Sequence, residues 1–330
     1  MEKKTRSFII VGGSQSHVPF INAANELGFK VTVFDRDFEC VGRKHCDNFY
    51  QISTRDQKQI VAKCIEIDRV CELSGIMTYS ASNDSLMAVS SACSILGLPC
   101  FSTDCISKIV NKNIMKGCFS KHGVPSTEWI MTEDTGDAVN FFRKVGKVVL
   151  KPSLDGRGSK GVVLCDTESS VLNQFLHAKG ASKNLEVVAE KYYDGSEYSV
   201  DGIVIDDTPI VLSIAKKNNL GKNFNFIMSG FLVDFPFKNE KERCALEKAG
   251  IESVVSLGIS NSFFSVDILM SKSKAIVLEC GVLLDCKIDR LLYFAGIDVY
   301  SLFVRMATKL PLTIPSLNNR PSVALSFLFS

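Results

Sequence analysis

The sequence predicts a mixed α/β fold in which a parallel α/β unit is followed by a larger α+β region. In the first hundred residues, short β-rich runs alternate with helical patterns of about 10–15 residues, an order typical of βαβ units. A helical stretch over about 102–128 follows. Beyond it, two apolar runs flank a glycine-rich turn, and long β-rich runs then dominate the chain. These three observations define the predicted architecture.

The N-terminal unit is predicted from four short runs rich in β-branched and aromatic residues, three of which lead into a helical pattern. In a parallel sheet, ligands bind beyond the carboxyl ends of the strands, so the turns after these runs are candidate binding sites. The predicted strands are SFIIVGG, KVTVFDRD, NFYQIS and GIMTYS, and the predicted helices lie at about His17–Leu27, Asp56–Leu73 and Asn83–Leu96.

The second region begins with the helical stretch from about Ser102 to Glu128, in which Gly123 and Pro125 form a stop signal. Helices are predicted at Thr135–Val145, at about Asn239–Leu257 and at about Val299–Ala307. The predicted strands are KVVLKP, GVVLCD, LEVVAEKYYDG, SEYSVDGIVID, TPIVLSIAKK, FIMSGFLVDFP, SFFSVDILMS, KAIVLECG and SVALSFLFS.

Composition excludes several classes of protein. The net charge of +2 favours neither a nucleic-acid nor a membrane partner. No apolar run approaches the roughly 18 residues that a membrane span needs, and the apolar core at Phe8–Val11 is too short for a signal peptide. The 12 cysteines include no CxxC pair and the four histidines are dispersed, so reduced structural cysteines are favoured over zinc or disulfides. We therefore expect a soluble, cytoplasmic protein.

The turn after the first strand, VGGSQSH, is a weak candidate for dinucleotide binding. Ser14 and Ser16 interrupt the GxGxxG spacing, although Asp35 ends the second strand where a ribose would be held. An oxidoreductase built on this sheet is therefore disfavoured. A tight turn whose backbone approaches a small ligand is the alternative.

The segment KVVLKPSLDGRGSKGVVLC contains the strongest single chemical signal. Its glycines allow backbone N–H groups to surround an anion, and Lys151 closes the first strand with a positive charge suited to phosphate. The segment is not a P-loop, because GxxxxGK[ST] is absent and a strand follows. It predicts either a lid over nucleotide phosphates or an ordinary hairpin with a surface lysine.

Other motifs favour the lid. Lys112 lies near a predicted helix start, and Glu190 and Glu197 flank a Tyr-Tyr-Asp-Gly turn. Asp267 and Glu279 end neighbouring predicted strands, where two carboxylates could bind Mg²⁺ together with phosphate oxygens. In this order and spacing, NKNIMK…HGVPS, VVLKPSLDGRGSKGV, AEKYYDGSEYSVDG and SVDILMSKSKAIVLE resemble the ATP-grasp superfamily of carboxylate–amine ligases. The lead-in from GIMTYS to LPCFS is similar to the domain that precedes the ATP-grasp region in carbamoyl-phosphate synthase, phosphoribosylaminoimidazole carboxylase and L-amino-acid ligase.

The resemblance implies an N-terminal pre-ATP-grasp α/β domain over 1–102 and an ATP-grasp domain over 103–330. The latter would comprise a small lid subdomain at about 126–192 and a C-terminal subdomain at about 193–330. Its cofactors would be ATP and Mg²⁺ (or Mn²⁺), and its substrates a small carboxylate and an amine. Dimers are common among similar enzymes, so a homodimer is one option, and the sequence leaves the oligomeric state open.

The resemblance also implies residue roles. Lys112 and Lys151 would contact the ATP phosphates as catalytic residues, under a loop that includes Ser153, Gly156, Gly158, Ser159 and Gly161. Glu190, Lys191 and the backbone of Tyr192 and Tyr193 would hold adenine, and Glu197 the ribose. Lys216 or Lys217 would reach the phosphates unless both are solvated strand residues. Asp267, Glu279 and a possible third acid, Asp285, would bind the metal.

The sequence departs from the family pattern after Glu279. Gly281 stands where an asparagine of the metal shell is expected, and Leu283 where an arginine would hold the substrate carboxylate or acyl phosphate. Lys287 or Arg290 could replace this arginine. Alternatively, Asp285, Asp289 and Arg290 form an ion-paired helix start. The implied function is an ATP-dependent ligase that acts through an acyl phosphate, and the alternatives are a degenerate ATP-binding regulatory or scaffold protein and a phosphotransferase.

Overall fold

The structure is a computed structural model that describes residues 5–154, 160–219, 228–233, 239–285, 287–318 and 320–327. These residues form three sheets and their flanking helices. The mixed α/β class with an N-terminal parallel sheet, predicted from the sequence, is confirmed.

The N-terminal sheet has four parallel strands in the order β3-β2-β1-β4. Because β1 is central, its apolar residues are buried on both faces, as expected for a parallel sheet covered by helices. The strands are β1 (Arg6–Val11), β2 (Lys30–Asp35), β3 (Asn48–Gln51) and β4 (Glu72–Met77), and the helices are α1 (Val18–Glu26), α2 (Gln57–Val70) and α3 (Asn83–Leu96).

The helical stretch predicted as one unit over 102–128 is two helices, α4 (Thr103–Val110) and α5 (Lys112–His122). Asn111 separates them because its backbone is extended and its side chain caps α5 by accepting a hydrogen bond from the Ile114 N–H at 3.2 Å. Gly123 ends α5 in the left-handed conformation that favours glycine. The break fixes Lys112 as the first residue of α5.

The second sheet is antiparallel, with the order β5-β8-β6-β7. Helix α6 spans the predicted residues, whereas α7 was not predicted. The sequence signal for α7 is a capping box at its first turn. The Thr167 side chain accepts from the Ser170 N–H, and the Ser170 side chain accepts from the Thr167 N–H. The elements are β5 (Trp129–Thr132), α6 (Thr135–Val145), β6 (Val148–Pro152), β7 (Val163–Cys165), α7 (Glu168–Gly180) and β8 (Val187–Lys191).

The third sheet is antiparallel with the order β13-β12-β9-β10-β11-β14. Helix α8 packs on one face of β9, β12 and β13, and the polar side chains of the candidate site lie on the other. The elements are β9 (Ser196–Ile205), β10 (Thr208–Asn219), β11 (Met228–Val233), α8 (Glu240–Leu257), β12 (Ser262–Ser271), β13 (Lys274–Gly281), α9 (Ile288–Phe294), α10 (Val299–Ala307) and β14 (Val323–Ser326).

The hydrophobic cores connect the first and third sheets. Phe20 of α1 contacts Tyr300 of α10 edge-on, with ring centroids 5.0 Å apart, and belongs to the same core as Phe263 of β12. The second sheet instead has its own core with α6 and α7. The three sheets fall within the three predicted units, whose boundaries at 102, 126 and 193 stay predictions. No helix in the described part of the chain is both long and apolar enough to cross a membrane.

Candidate functional site

The site is built where α5 begins, where β6 and β8 end, and where β12 and β13 pair. The Lys112 N–H donates to the Ser153 carbonyl at 2.8 Å, which ties the start of α5 to the segment after β6. The Ser153 side chain is buried and donates to Asn111 Oδ1 at 3.2 Å. Ser153 therefore holds the two predicted phosphate lysines, Lys112 and Lys151, on adjoining elements.

Lys151 and Glu190 form the base of the site. Lys151 Nζ lies 2.8 Å from Glu190 Oε1, and Lys116 Nζ lies 3.0 Å from Glu190 Oε2. Thr127 also donates to Glu190 Oε2 at 2.7 Å. Glu190, predicted to hold adenine, is thus buried between two lysines, and its observed contacts orient Lys151.

The opposite charges of Glu190 and its two lysines favour one another's charged forms. Burial alone would raise the pKa of the Glu190 carboxyl, but the attraction of Lys116 and Lys151 lowers it to about 2. Burial lowers the pKa of the Lys116 ammonium to about 8, although the attraction of Glu190 opposes this shift. Burial also disfavours the charged form of Lys151, but Glu190 outweighs it and raises the pKa.

Lys116 was not among the predicted site residues. It lies four residues after Lys112 on α5, so both side chains project from the same side of the helix toward the site. Its ammonium donates to Ser126, to Thr127 and to the Val277 carbonyl at 3.1, 3.0 and 3.4 Å. The spacing of the two lysines in NKNIMK was the available signal.

The two predicted metal carboxylates are direct register partners, since Asp267 on β12 lies opposite Glu279 on β13. Opposed residues of an antiparallel pair project from the same face, so the two carboxylates share one side of the sheet. A register shift follows at once, because Ile268 pairs with Val277. Asp267 and Glu279 are therefore placed as expected for two carboxylates that bind one cation together.

Each of these carboxylates is paired with a lysine. Glu279 Oε1 accepts from Lys112 Nζ at 2.5 Å, across a sequence separation of 167 residues. Burial would raise the pKa of Glu279, but Lys112 lowers it. The Glu279 side chain stays 47% exposed, so its carboxylate remains accessible.

Lys217 pairs with the second metal carboxylate. Its Nζ lies 2.6 Å from Asp267 Oδ1, 2.8 Å from Asp285 Oδ2 and 3.5 Å from Glu197 Oε1. Burial would lower the pKa of Lys217, but these acids raise it well above its usual value. Glu197, predicted to hold a ribose, lies at the edge of this cluster.

The side-chain alternation of β10 separates Lys217 from Lys216. Ala215 pairs with Ser199, so Lys217 lies on the face that carries Glu197 and Ser199, whereas Lys216 pairs with Tyr198 on the opposite face. Lys216 is exposed to solvent. Of the two lysines considered from the sequence, Lys217 is the one that the structure brings to the acids.

Asp285 belongs to the same face through Asp201. The Asp285 N–H donates to Asp201 Oδ1 at 2.8 Å, and the Ser199 hydroxyl donates to Asp201 Oδ2 at 2.6 Å. Burial and the repulsion of Asp285 raise the pKa of Asp201 to about 8. Through these hydrogen bonds Asp201 positions the segment after β13.

The segment predicted to hold adenine uses part of its backbone internally. The Lys191 N–H donates to the Glu128 carbonyl and the Tyr192 N–H to the Lys147 carbonyl, both at 2.8 Å. The Lys191 ammonium pairs with Glu128 at 2.5 Å, and the Tyr193 hydroxyl donates to the same carboxylate oxygen at 3.3 Å. Of the predicted Tyr192 and Tyr193 backbone donors, the Tyr192 N–H is therefore already engaged.

The predicted phosphate loop is described only at its ends. Gly156, Gly158 and Ser159 lie outside the described residues. Gly161 has φ +74°, and an added Cβ would lie 2.5 Å from the Ala181 Cβ. Glycine is required there by both backbone conformation and packing.

The departures after Glu279 have structural counterparts. A Cβ at Gly281 would meet only Ser265 Oγ at 3.7 Å, so the asparagine expected there would have room. Leu283 is half-buried, and both Lys287 and Arg290 are exposed. The two acids of the ion-paired helix start considered for Asp285, Asp289 and Arg290 have other partners: Asp285 contacts Lys217, and Asp289 accepts from the Tyr300 hydroxyl at 2.9 Å.

Two carboxylates on one face fit the oxygen preference of Mg²⁺, which binds one or two carboxylates with phosphate oxygens and water. Within the described ranges, no group of three or more His, Cys, Asp or Glu side chains is arranged to hold a metal on its own. The donor set thus fits a divalent cation that shares its ligands with a nucleotide. Asp267 and Glu279 would hold this ion. Asp285 lies close to Asp267, because both carboxylates contact the Lys217 ammonium.

The turn after β1 is held by the protein itself. Asp35 Oδ2 accepts from the Gly13 N–H at 2.7 Å, and its other oxygen accepts from the Asp37 N–H at 2.9 Å. His17 is buried, and its Nε2 accepts from the Tyr79 N–H at 3.2 Å. Asp35 therefore closes a tight turn, in agreement with the alternative to a dinucleotide site.

The ATP-grasp domain family matches residues 110–281, slightly more than half of the chain, and the chain belongs to this family. The matched stretch begins just before Lys112 and ends just after Glu279. Both predicted phosphate lysines and both predicted metal carboxylates lie within it.

Individual relatives are more distant. N5-carboxyaminoimidazole ribonucleotide synthase of Staphylococcus aureus is 23% identical over 184 residues, which cover 56% of this chain and 46% of the relative. The chain thus spans about half the length of the curated relatives that it matches.

Solved structures extend the similarity over nearly the whole chain. The N5-carboxyaminoimidazole synthetase from Staphylococcus aureus complexed with ADP superposes with a TM-score of 0.79 at 18% identity, covering 99% of this chain and 83% of that one. The L-amino acid ligase from Bacillus licheniformis gives 0.73 at 22% identity, covering 93% and 75%. These identities establish a shared fold, including the N-terminal parallel sheet.

Proposed function

We propose that this protein is an ATP-dependent ligase that joins a small carboxylate to an amine through an acyl phosphate. The observation that carries the proposal is the Lys112–Glu279 ion pair, together with the register pairing of Glu279 and Asp267. It brings a lysine suited to nucleotide phosphates against two carboxylates suited to magnesium. Family membership and the ADP held by one structural relative support ATP as the nucleotide.

The chain's own residues would divide the work between binding and orientation. Lys112 and Lys151 bind nucleotide phosphates, and Glu190 keeps Lys151 charged and fixed in position. The segment Lys191–Tyr193 and Glu197 contact the nucleoside. Asp267 and Glu279 hold Mg²⁺ (or Mn²⁺), which supplies electrostatic stabilisation of the transferred phosphoryl group.

The proposed reaction has two steps. A carboxylate oxygen of the substrate attacks the γ-phosphorus, the bond to the β-phosphate oxygen breaks, and ADP leaves. The amine nitrogen then attacks the acyl carbon, and phosphate leaves with the electron pair of the C–O bond. The residues named above orient the reactants and neutralise charge, which is how proteins accelerate phosphoryl transfer.

A second candidate is an ATP-binding module that regulates or scaffolds a partner. It is favoured by Gly281 and Leu283, which supply neither the amide nor the guanidinium expected after Glu279. A phosphotransferase whose acceptor needs no such arginine accounts for the same two residues.

Turnover separates these candidates. ADP and phosphate release would be measured with Mg-ATP against a panel of amino acids and other small carboxylates, each with and without an amine. Release that depends on both substrates, and that Glu279→Gln abolishes, supports the ligase. Glu66→Gln is the matched control, because Glu66 pairs with Lys63 at 2.6 Å on the surface. Thermal stabilisation by ATP without turnover supports the binding module, and ADP release without phosphate supports the phosphotransferase.

The identity of the carboxylate and amine, a homodimeric state and a cytoplasmic location stay predictions. Mass spectrometry of metabolites that copurify with the protein addresses the substrates, and light scattering addresses the oligomer.

A further inference from the structure

Lys217 carries an ammonium enclosed by three carboxylates, those of Asp267, Asp285 and Glu197, at 2.6, 2.8 and 3.5 Å. Its side chain is only 8% exposed. Among the ion pairs given above, this is the one in which a single cation serves several acids. Three carboxylates therefore share one buried lysine.

Asp267 is also the proposed metal ligand opposite Glu279. A carboxylate that accepts a hydrogen bond from a lysine at 2.6 Å has fewer electron pairs available for Mg²⁺. Metal binding and the Lys217–Asp267 contact therefore compete.

The segment in which Leu283 replaces the expected arginine contains no basic residue. Residues 279–285, ECGVLLD, include no lysine or arginine. Lys217 contacts Asp285, two residues beyond Leu283, and Lys287 and Arg290 are exposed. Lys217 is thus a buried cation that contacts this segment at Asp285, as Lys112 does at Glu279.

We propose that Lys217 is a further catalytic residue: it holds Asp267 in the nucleotide-free protein, yields Asp267 to the divalent cation that enters with ATP, and then pairs with the transferred phosphoryl group in place of the arginine absent at position 283. The inference rests on the proposed function for its final step. Its first step, competition with a metal, can be measured without turnover. In this proposal the cation that displaces Lys217 from Asp267 enters with ATP, so metal binding depends on the nucleotide.

The first experiment titrates the full chain with Mn²⁺ alone and measures free Mn²⁺ by electron paramagnetic resonance. Lys217→Met should bind Mn²⁺ at least about tenfold more tightly than the unmodified chain, because it frees Asp267. Lys216→Met is the matched control, since the neighbouring lysine is exposed on the opposite face, and should leave affinity unchanged. Adding Asp267→Asn to Lys217→Met should remove the gain.

Lys217→Met removes a cation that pairs with Asp267, Asp285 and Glu197, and repulsion between these acids could destabilise the variant. Its folding is therefore checked by circular dichroism and thermal unfolding. If Lys217→Met does not fold, the double variant Lys217→Met/Asp285→Asn removes one acid together with the lysine and is used instead. Lys217→Arg retains the cation and should show no gain in Mn²⁺ affinity. Unchanged Mn²⁺ affinity in a folded Lys217→Met variant overturns the proposal.

The second experiment follows substrate-stimulated ADP release. Lys217→Met should lower kcat by about 100-fold while changing the KM for ATP much less, because the contact forms with the transferred group. Equal losses in Lys217→Met and Lys216→Met would contradict the catalytic step. If the unmodified chain neither binds ATP nor releases ADP, the proposed function fails, whereas the Mn²⁺ titration still decides the competition.

Discussion

Lys116 and Glu190 form an ion pair from which water is excluded: Nζ and Oε2 lie 3.0 Å apart, and the two side chains are 0% and 2% exposed. The pair links α5 to β8, and through Glu190 Oε1 it extends to Lys151 at the end of β6. An enclosed pair of this kind adds little net stability relative to apolar packing, but its geometry is fixed. Because of this fixed geometry, Lys151, a predicted phosphate lysine, is oriented before any ligand binds.

Lys116→Met should destabilise the protein by about 3 kcal/mol, because Glu190 loses one of its two buried cations. Urea unfolding followed by circular dichroism measures the free energy of unfolding. Lys121→Met is the control, since this lysine is exposed near the end of the same helix, and it should change stability by less than about 0.5 kcal/mol. Equal effects of the two variants would show that the enclosed pair is not needed for folding.

The same lysine predicts a pH dependence. The pKa of Lys116 is lowered from 10.5 to about 8 in the folded state. Between these values the unfolded state binds more protons than the folded state, so the contribution of this group to stability rises with pH. The stability of the unmodified chain, relative to Lys116→Met, should therefore increase from pH 8 to 10.5 by on the order of 3 kcal/mol. Parallel stability curves for the two proteins would rule this out.

Sequence motifs selected four residues that the structure brings to the candidate site. Lys151 and Glu279 lie near the ends of predicted strands. Lys112 lies inside the stretch predicted as one helix and Asp267 inside its strand, so these two were found from their motifs. The pairing of Asp267 with Glu279 also follows from a hairpin whose two strands are joined by a short turn. Order along the chain was therefore informative for these residues.

Other features depend on long-range packing. Glu190 contacts Lys116 across 74 positions (190 − 116), and nothing local indicates that its carboxylate is enclosed rather than directed at a base. The choice between Lys216 and Lys217 needed the register of β10 against β9, which the hairpin turn sets. Helix α7 was missed because its apolar positions make a weak stripe, with Leu172 and Leu176 exposed.

Lys151→Ala should weaken ATP binding by about 10- to 100-fold, because a charge-assisted contact to phosphate is lost. Isothermal titration calorimetry with Mg-ATP measures the effect. Lys179→Ala is the control, since Lys179 is a half-buried lysine of α7 whose ammonium donates to the Glu133 carbonyl at 2.7 Å. Unchanged ATP affinity in Lys151→Ala would place the phosphate site elsewhere.

Gly12→Ala should lower stability by at least about 2 kcal/mol through steric conflict and backbone strain. Gly12 has φ +120°, and an added Cβ would lie 2.4 Å from His17 Nε2. That nitrogen accepts from the Tyr79 N–H and so joins the turns after β1 and β4. Thermal unfolding measures the loss. Gly28→Ala is a comparison at another positive φ, where the Cβ meets nothing within 4 Å, so it should cost less.

Leu283→Arg should restore part of the activity that Lys217→Met removes. The new guanidinium would lie two residues before Asp285, the acid that Lys217 contacts at 2.8 Å, and would return a cation to this segment. The measurement is substrate-stimulated ADP release by the double variant and by each single variant. Leu283→Met is the control for side-chain size, and should not rescue Lys217→Met. In the otherwise unmodified chain, Leu283→Arg places two cations near Asp285, so we expect little gain. A large gain there, with no rescue in the double variant, would mean that Lys217 does not perform the role of the missing arginine.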